Sequence, residues 1–579
     1  MSVREIVTLQ FGHYSNFVGT HWWNVQESSF VYDPQLLSTF PKEVNHDVLF
    51  REGKTISGHT TFTPRLVLVD LHGSLGSLRR EGTLYGASSE ENIQWLGDVT
   101  LHQTEASEKN KFLQDLYEDQ AEETSSDRSC KLKDAETSDT DGPDTGKQDC
   151  DDSEESSKSE AELPGPHSYH LDSDVTVWSD FLRTGLHPRS IHLVKEYQHN
   201  NSQNDFGIFG QGQQIAKTDR EWEALEDQIR YFTEECDQLQ GFHILLDNHN
   251  GFGGLSSSAL SYLSDEFSSK SRLSLGLTPA CPPDQTAVER STRILNSALS
   301  LRHCSEHSSL YVPLSLASSL WRNVGAPVKF DNLQYKAELD YHTSAVLAAA
   351  LDTASLPYRR ENDPASISDI TSSFSSLGRK VSALNLSLPF PLRMGTTVAD
   401  TLVSLGQTDP WTSLTPSVHC VSSPMFQSCV LRGVPQLGAK RLVSDSPASR
   451  LLSSCSSVDD VLRLYLTETY PGSFNSGCHM RDGVVVSTPF PHIFSPGVNW
   501  HGFLSDTERP SHLGVERVPV LTSLQSTSDV FSHIDSLTES VSKFNISKHQ
   551  HFIEAGLEPD DFTETIHELR SLAQCYAPE

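Results

Sequence analysis

Strand-like and helix-like hydrophobic patterns alternate along the N-terminal half of this chain. Arg4 to Gln10 (REIVTLQ) is a short β-rich run ending at Gly12, and a helix-like stretch through Phe17, Val18, Trp22 and Val25 follows it. Leu66 to Asp70 (LVLVD) is a continuous apolar strand that leads into a small-residue loop, His72 to Ser77, and Ile191 to Tyr197 (IHLVKEY) is a further strand. From Asp219 to Leu239, apolar residues recur at three and four (Trp222, Leu225, Ile229, Phe232, Cys236, Leu239), which predicts a helix. Thr218 with Glu221 supplies a capping-box start and Gly241 a stop. Phe242 to Leu246 then reads as a fully buried strand of the kind found in parallel sheets, and it delivers a glycine segment, Asn248 to Ser258, to a new helix. Repeated strand, loop and helix units predict an α/β layered domain whose ligands sit at the carboxyl ends of the strands. A glycine loop at a helix N-terminus is a common way to hold phosphate, because its free N–H groups and the helix dipole favour an anion.

Further along, Glu338 to Leu356 predicts a long apolar helix with Leu339, Val346, Leu347 and Leu351 among its buried positions. Asp363 to Ser376 is Ser-rich and weakly patterned, Val381 to Leu388 alternates toward a strand ended by Pro389, and two helices close the chain near Ser526 to Phe544 and Asp560 to Tyr576. The expected organisation is an N-terminal parallel-sheet domain over residues 1–337, a connecting helix over 338–356, a second α/β domain over 357–524 and a C-terminal helical segment over 525–579.

Charge changes this picture in one place. Between Glu105 and Glu162 there are 20 acidic against 7 basic residues, so this segment carries −13 of the formal net charge of −33. It is rich in Ser and Asp and poor in aromatics, a composition that buries too little surface to offset the entropy of ordering, so residues 105–165 are expected to be a disordered acidic insert. Within it, DDSEESSKSE (Asp151 to Glu160) suits acidic-directed phosphorylation, a charged arm for a basic partner or a solvating spacer. The overall acidity argues against nucleic acid as a partner. Ten cysteines lack a CxxC pair, and neither Cys420 with Cys429 nor Cys478 beside His479 has metal-ligand spacing, so reduced thiols and no metal site are expected. Charged Arg4 and Glu5 argue against a secretory signal, and no apolar run reaches the ~20 residues of a membrane helix.

The landmarks, in this order, resemble the tubulin family. MSVREIVTLQFGHYSNFVGTHWW is similar to the tubulin start, Pro64 to Arg79 (PRLVLVDLHGSLGSLR) to the LVDLEPG segment, and Cys236 to Phe242 (CDQLQGF) to CDCLQGF. Leu295 to Leu301 (LNSALSL) and Leu388 to Pro391 (LPFP) fall where tubulins have YNATLSV and VPFP; Gln525 to Thr527 precedes a helix as NST does, and Phe562 to Glu564 (FTE) recurs in the last helix. A divergent start, an enlarged acidic insert and an altered glycine loop resemble the Misato family within this group. That resemblance implies a tubulin-like fold and a role in mitochondrial distribution, morphology and fusion at the cytosolic face of the outer membrane. It also implies partners among proteins of the mitochondrial surface or fusion machinery, with tubulin or its chaperones as alternatives, and peripheral attachment without a transmembrane helix.

The same resemblance places the vestiges of a nucleotide site at Gly12, Asn16, Gly210, Gly212, Gly251, Gly253, Gly254 and Asp340. Where tubulins have GGGTGSG, this chain has His249, Asn250, Gly251, Phe252, Gly253, Gly254 and Leu255: a ring replaces a hydroxyl, and a side chain stands where backbone should meet phosphate. Gly253 and Gly254 suit either an anion nest or a tight turn. His13 replaces a phosphate-side Gln and Phe17 a second Gln, while His72 replaces the carboxylate near Mg2+, a hard ion that prefers oxygen. FGQGQQ (Phe209 to Gln214) keeps the glycines of a third phosphate loop. Leu314 aligns with a base-reading Asn and cannot hydrogen-bond a purine, and Asp340 aligns with another, as either a guanine acceptor or a solvated helix carboxylate. The hydrolytic acid loop aligns with Ser372 to Lys380, which holds no acid. A non-enzymatic chain with no cofactor, or at most weak GTP, is the expectation; a slow GTP switch and a factor that engages tubulin are the alternatives.

Overall fold

Six apolar runs pair in parallel to form the first sheet, in the order β5-β4-β1-β6-β7-β8. They are β1 (Ile6–Phe11), β4 (Leu66–His72), β5 (Ile191–Gln198), β6 (Gly241–Asp247), β7 (Ser271–Leu277) and β8 (Leu310–Leu314), with the hairpin β2 (Phe50–Lys54) and β3 (Thr60–Pro64) beside them. β1, β4 and β6 are buried on both faces: β4 is accordingly a continuous apolar run from Leu66 to Val69, while β1 and β6 also bury the polar residues Thr8, Gln10 and His243. The computed structural model describes residues 3–30, 42–54, 60–80, 108–119, 169–201, 205–280, 286–321, 325–406, 408–419, 422–435, 452, 455–510 and 513–577.

Around this sheet lie α1 (His13–Glu27), α2 (residues 111–119), α3 (Phe209–Ile215), α4 (Asp219–Glu234), α5 (Gly251–Glu266) and α6 (Ala287–His307). α7 (Asp340–Ala354) is buried from Tyr341 to Thr353, and its alanines, Ala345 and Ala348 to Ala350, let it lie between α1 and strands of a second sheet. That sheet has the order β10-β9-β15-β11-β12, built from β9 (Ala383–Ser387), β10 (Thr412–Ser413), β11 (Phe426–Arg432), β12 (Phe474–Met480) and β15 (Val520–Ser526). It is mixed: β11 and β12 are parallel and the other neighbours antiparallel. A short pair, β13 (Val484–Val485) with β14 (Arg517–Val518), lies apart from it. The helices α8 (Ile367–Phe374), α9 (Val398–Leu405) and α10 (Val458–Thr469) belong to the same half of the chain. The closing helices α11 (Val530–Val541) and α12 (Pro559–Gln574) pack back on α6. Tyr576 then accepts from the Val381 N–H at 2.7 Å and donates to the Val381 carbonyl at 2.8 Å.

Four expectations need correction. The acidic segment is not uniformly structureless: α2 lies inside it, begun by Asn110, whose side chain accepts from the Leu113 N–H at 2.9 Å, and it buries Phe112 and Leu113 in the core. An average over the whole segment hid this short apolar cluster, and the remaining positions, 105–107 and 120–165, lie outside the described residues. α4 ends at Glu234 rather than Leu239, because the Glu5 carboxylate takes the N–H groups of Asp237 and Gln238. Its expected capping box does not form, since no side chain caps the helix and Glu221 pairs with Lys195 at 3.1 Å. Finally, the weakly patterned Ser-rich stretch contains α8, whose start is capped by the Ser366 side chain.

Candidate functional site

The sheet order reverses at β1. The chain runs outward from β1 to β4 and β5 and returns to β6 on the opposite side of β1, which opens a crevice at the carboxyl ends of β1 and β6. In open α/β sheets this switch point is where ligands bind. Phe11 pairs with Leu246 in register, so the next residues, Gly12 and Asp247, face each other there. Gly12 has φ +111°, and a Cβ on it would overlap the Asp247 carboxylate.

Asp247 occupies the position a bound anion would take at the start of α1. Its carboxylate accepts from the N–H of Tyr14 at 3.1 Å and of Ser15 at 2.8 Å, satisfying donors that a helix start leaves free. Burial pushes this carboxyl up to about 7, against the two N–H groups, which favour its charged form. Asn250 does the same for α5: its side chain accepts from the Phe252 N–H at 2.9 Å and its carbonyl from the Gly253 N–H at 3.2 Å. The Gly251 N–H is taken by the Phe206 carbonyl at 3.0 Å.

Beside Asp247 stands a second buried carboxylate. Asp70 Oδ2 accepts from His13 Nδ1 at 3.1 Å, Asn16 Nδ2 at 3.1 Å and Trp178 Nε1 at 2.8 Å, and Oδ1 accepts from the Leu71 N–H at 2.8 Å. Burial alone pushes Asp70 up, but the His13 charge and these hydrogen bonds more than offset it and hold the group below the ordinary carboxylate range. Burial likewise pulls His13 down, yet Asp70, with help from Asp247 and Asp340, leaves it above the ordinary imidazole value. Asp340 is half-buried at the first turn of α7, where burial raises its carboxyl and His13 lowers it in part.

Gly12, Asn16 and Asp340 are therefore brought together at the crevice, but the other five expected residues serve a different purpose. FGQGQQ is not a loop; it is most of α3, and Gly251, Gly253 and Gly254 form the first turn of α5 rather than a phosphate cradle. A Cβ on Gly254 would overlap the Phe209 carbonyl, one on Gly212 the Gly251 carbonyl, one on Gly253 the Ser300 hydroxyl and one on Gly210 the Ala555 carbonyl. These glycines allow close helix packing, with Phe252 set edge-on to Phe206 at 5.0 Å and Leu255 buried. Leu314 is buried at the end of β8, and His72 is exposed at the end of β4. Leu377 stands exposed with φ +60° in the segment aligned with the acid loop, while Arg379 and Lys380 turn to the carbonyls of Cys575 and Glu306.

A nucleotide phosphate does not fit these residues as they stand. The α1 and α5 N-termini already hold oxygen atoms of the chain, and a phosphate at the crevice would face Asp247, Asp70 and Asp340. Sequence reasoning missed Asp247, Trp178 and His199, whose ring lies 4.1 Å from that of His13. Asp247 left a usable signal, a carboxylate directly after the apolar run Ile244 to Leu246 at the carboxyl end of β6; Trp178 and His199 left none.

Residues 4–118 match the family described as Misato Segment II tubulin-like domain, and residues 169–360 match the family described as Tubulin domain. Protein misato homolog 1 of Bos taurus is 38% identical over 579 residues, covering 99% of this chain and 98% of the relative. The Homo sapiens protein of that name is 37% identical over 580 residues with the same coverage. Protein misato of Drosophila melanogaster is 31% identical over 584 residues, again covering 99% and 98%. With such identity held from end to end around a six-stranded parallel sheet, the chain belongs to the Misato family of tubulin-like proteins.

Proposed function

We propose that this chain regulates mitochondrial distribution, morphology and fusion as a non-enzymatic tubulin-like scaffold at the cytosolic face of the mitochondrial outer membrane. The observation that carries the non-enzymatic part is the Asp247 carboxylate seated on the Tyr14 and Ser15 N–H groups, where a nucleotide-dependent relative would need phosphate. Positioning a triphosphate and stabilising its developing charge is most of what catalyses phosphoryl transfer, so a site already filled by a carboxyl group of the chain loses both. The mitochondrial part rests on membership of the family. Among the described residues, no helix is long and apolar enough to cross a membrane, which supports attachment through proteins of the mitochondrial surface or fusion machinery.

Nucleotide content tests the first part. Untagged protein denatured after purification should release no guanine nucleotide, and GTP with Mg2+ should leave its melting temperature unchanged. Stoichiometric GTP would replace this reading with that of a slow nucleotide switch. Fractionation and imaging test the second: the chain should sediment with outer membranes, be released by alkaline carbonate, and alter the mitochondrial network when depleted. An unchanged network would instead favour a partnership with tubulin or its chaperones.

A further inference from the structure

We propose that His13, Asp70 and His199 form a binding site for a single divalent ion of the zinc class. Each offers one ligand atom, and these atoms all lie within 4.8 Å of one another. Two imidazoles and one carboxylate are the donor set of three-ligand zinc sites, which keep a fourth position open for water. It is a poor set for Mg2+, which demands oxygen. Zinc bonds of about 2.0–2.2 Å require the three groups to close in slightly. The largest movement falls on the imidazole of His199, half-buried just beyond the end of β5.

The surroundings are those of an oriented ligand set. Trp178 and Asn16 donate to the same Asp70 oxygen as His13, and the Leu71 N–H holds the other, so the carboxylate cannot rotate. The His199 backbone is tied to β4 through its N–H on the His72 carbonyl at 2.8 Å. Such outer contacts are what hold metal ligands in place. Asn16 is fully buried, yet its Oδ1 has no hydrogen-bond partner among the described residues.

Charge points the same way. Asp70, Asp247 and Asp340 all act on His13, and among the described residues no lysine or arginine forms an ion pair with any of the three. A divalent ion held by His13, Asp70 and His199 would place its two positive charges where these three carboxylates gather. Access is open, since the His13 side chain is 21% exposed. The three ligands are separated by 57 residues in one step and more than a hundred in the next, so no sequence spacing announces the site.

The test uses the full untagged chain, stripped with a chelator and titrated with Zn2+ or with Co2+, whose visible absorption reports tetrahedral nitrogen and oxygen ligation. One ion per chain is expected, with Mg2+ in excess failing to displace it. His199→Ala should weaken binding at least about tenfold, and His13→Gln similarly, whereas His501→Ala, at an exposed site, should leave it unchanged. Circular dichroism identifies any variant that fails to fold, and the half-buried His199 makes its variant the safest. Substoichiometric binding by the wild-type chain, or equal affinities for His199→Ala and His501→Ala, would mean an adventitious ion only and overturn the proposal. Neither outcome depends on whether the chain binds GTP.

Discussion

Asp247 and Asp352 are buried carboxylates in two different regions of this molecule, and their surroundings treat them in opposite ways. At the crevice of the first sheet, Asp247 is met by two backbone N–H groups and, at 3.5 Å, the Asn250 side-chain amide, with no cationic side chain paired to it among the described residues, and burial pushes its carboxyl up to about 7. At the junction with the second sheet, Asp352 on α7 lies between Arg359 and Arg432. Burial would raise it too, but the two guanidinium groups hold it below the ordinary range. Arg359 also reaches Gln26 on α1 at 2.9 Å, and Arg432 reaches the Asp482 carbonyl at 2.9 Å, so the charged cluster spans α1, α7 and the second sheet. The difference teaches what each carboxylate does. Asp352 cross-links layers through paired charges, whereas Asp247 replaces a ligand at a helix start and remains weakly compensated.

The largest expected effect comes from breaking the paired site. Asp352→Ala strands two buried guanidinium groups and should cost about 3–5 kcal/mol in denaturant unfolding. Next comes the packing beside the crevice: Gly254→Ala places a methyl against the Phe209 carbonyl, backbone that cannot swing away, and should cost about 2–3 kcal/mol. A result within about 0.5 kcal/mol would mean that α3 and α5 are not tightly packed.

A pH series sharpens the contrast between the carboxylates. Because the folded-state value of Asp247 lies above the ordinary carboxylate value, its contribution is present at low pH and lost as pH rises through about 7. Asp247→Asn removes that titration, so relative to wild type the variant should gain about 2–3 kcal/mol between pH 5 and pH 8. The comparison must be variant against wild type, since His21 and His243, pushed down to about 3 by burial, make the whole chain more stable as pH rises toward their unfolded value. A flat difference curve would show that Asp247 is ionised throughout. The smallest effect is at the second filled helix start, where Asn250→Ala should cost about 1 kcal/mol by removing the cap on Phe252.

Much of the fold was legible because burial on two faces leaves a mark that needs no partner to read. LVLVD and FHILL are mostly apolar runs, and they are strands β4 and β6 within one or two residues. The Trp222, Leu225, Ile229 and Phe232 spacing gave α4, but its end was set by the Glu5 carboxylate, a contact from the far end of the chain. At the site, legibility was partial. Gly12, Asn16 and Asp340 do gather at the crevice, because they lie at the ends of well-marked elements. The glycines of α3 and α5 were visible as glycines, yet whether a missing Cβ makes room for phosphate or for another helix depends on what stands opposite.

By itself, the sequence determined the alternation of strands and helices, the parallel layering and the likeness to tubulins, since these follow from local periodicity and the linear order of motifs. Only the tertiary structure decided that the anion position is filled from within. The contact between Asp247 and the Ser15 N–H joins residues 232 positions apart and exists because β1 and β6 pair in a register that sets Gly12 against Asp247. A carboxylate's partner is a matter of distance in space, and no local pattern of hydrophobic and polar residues encodes it.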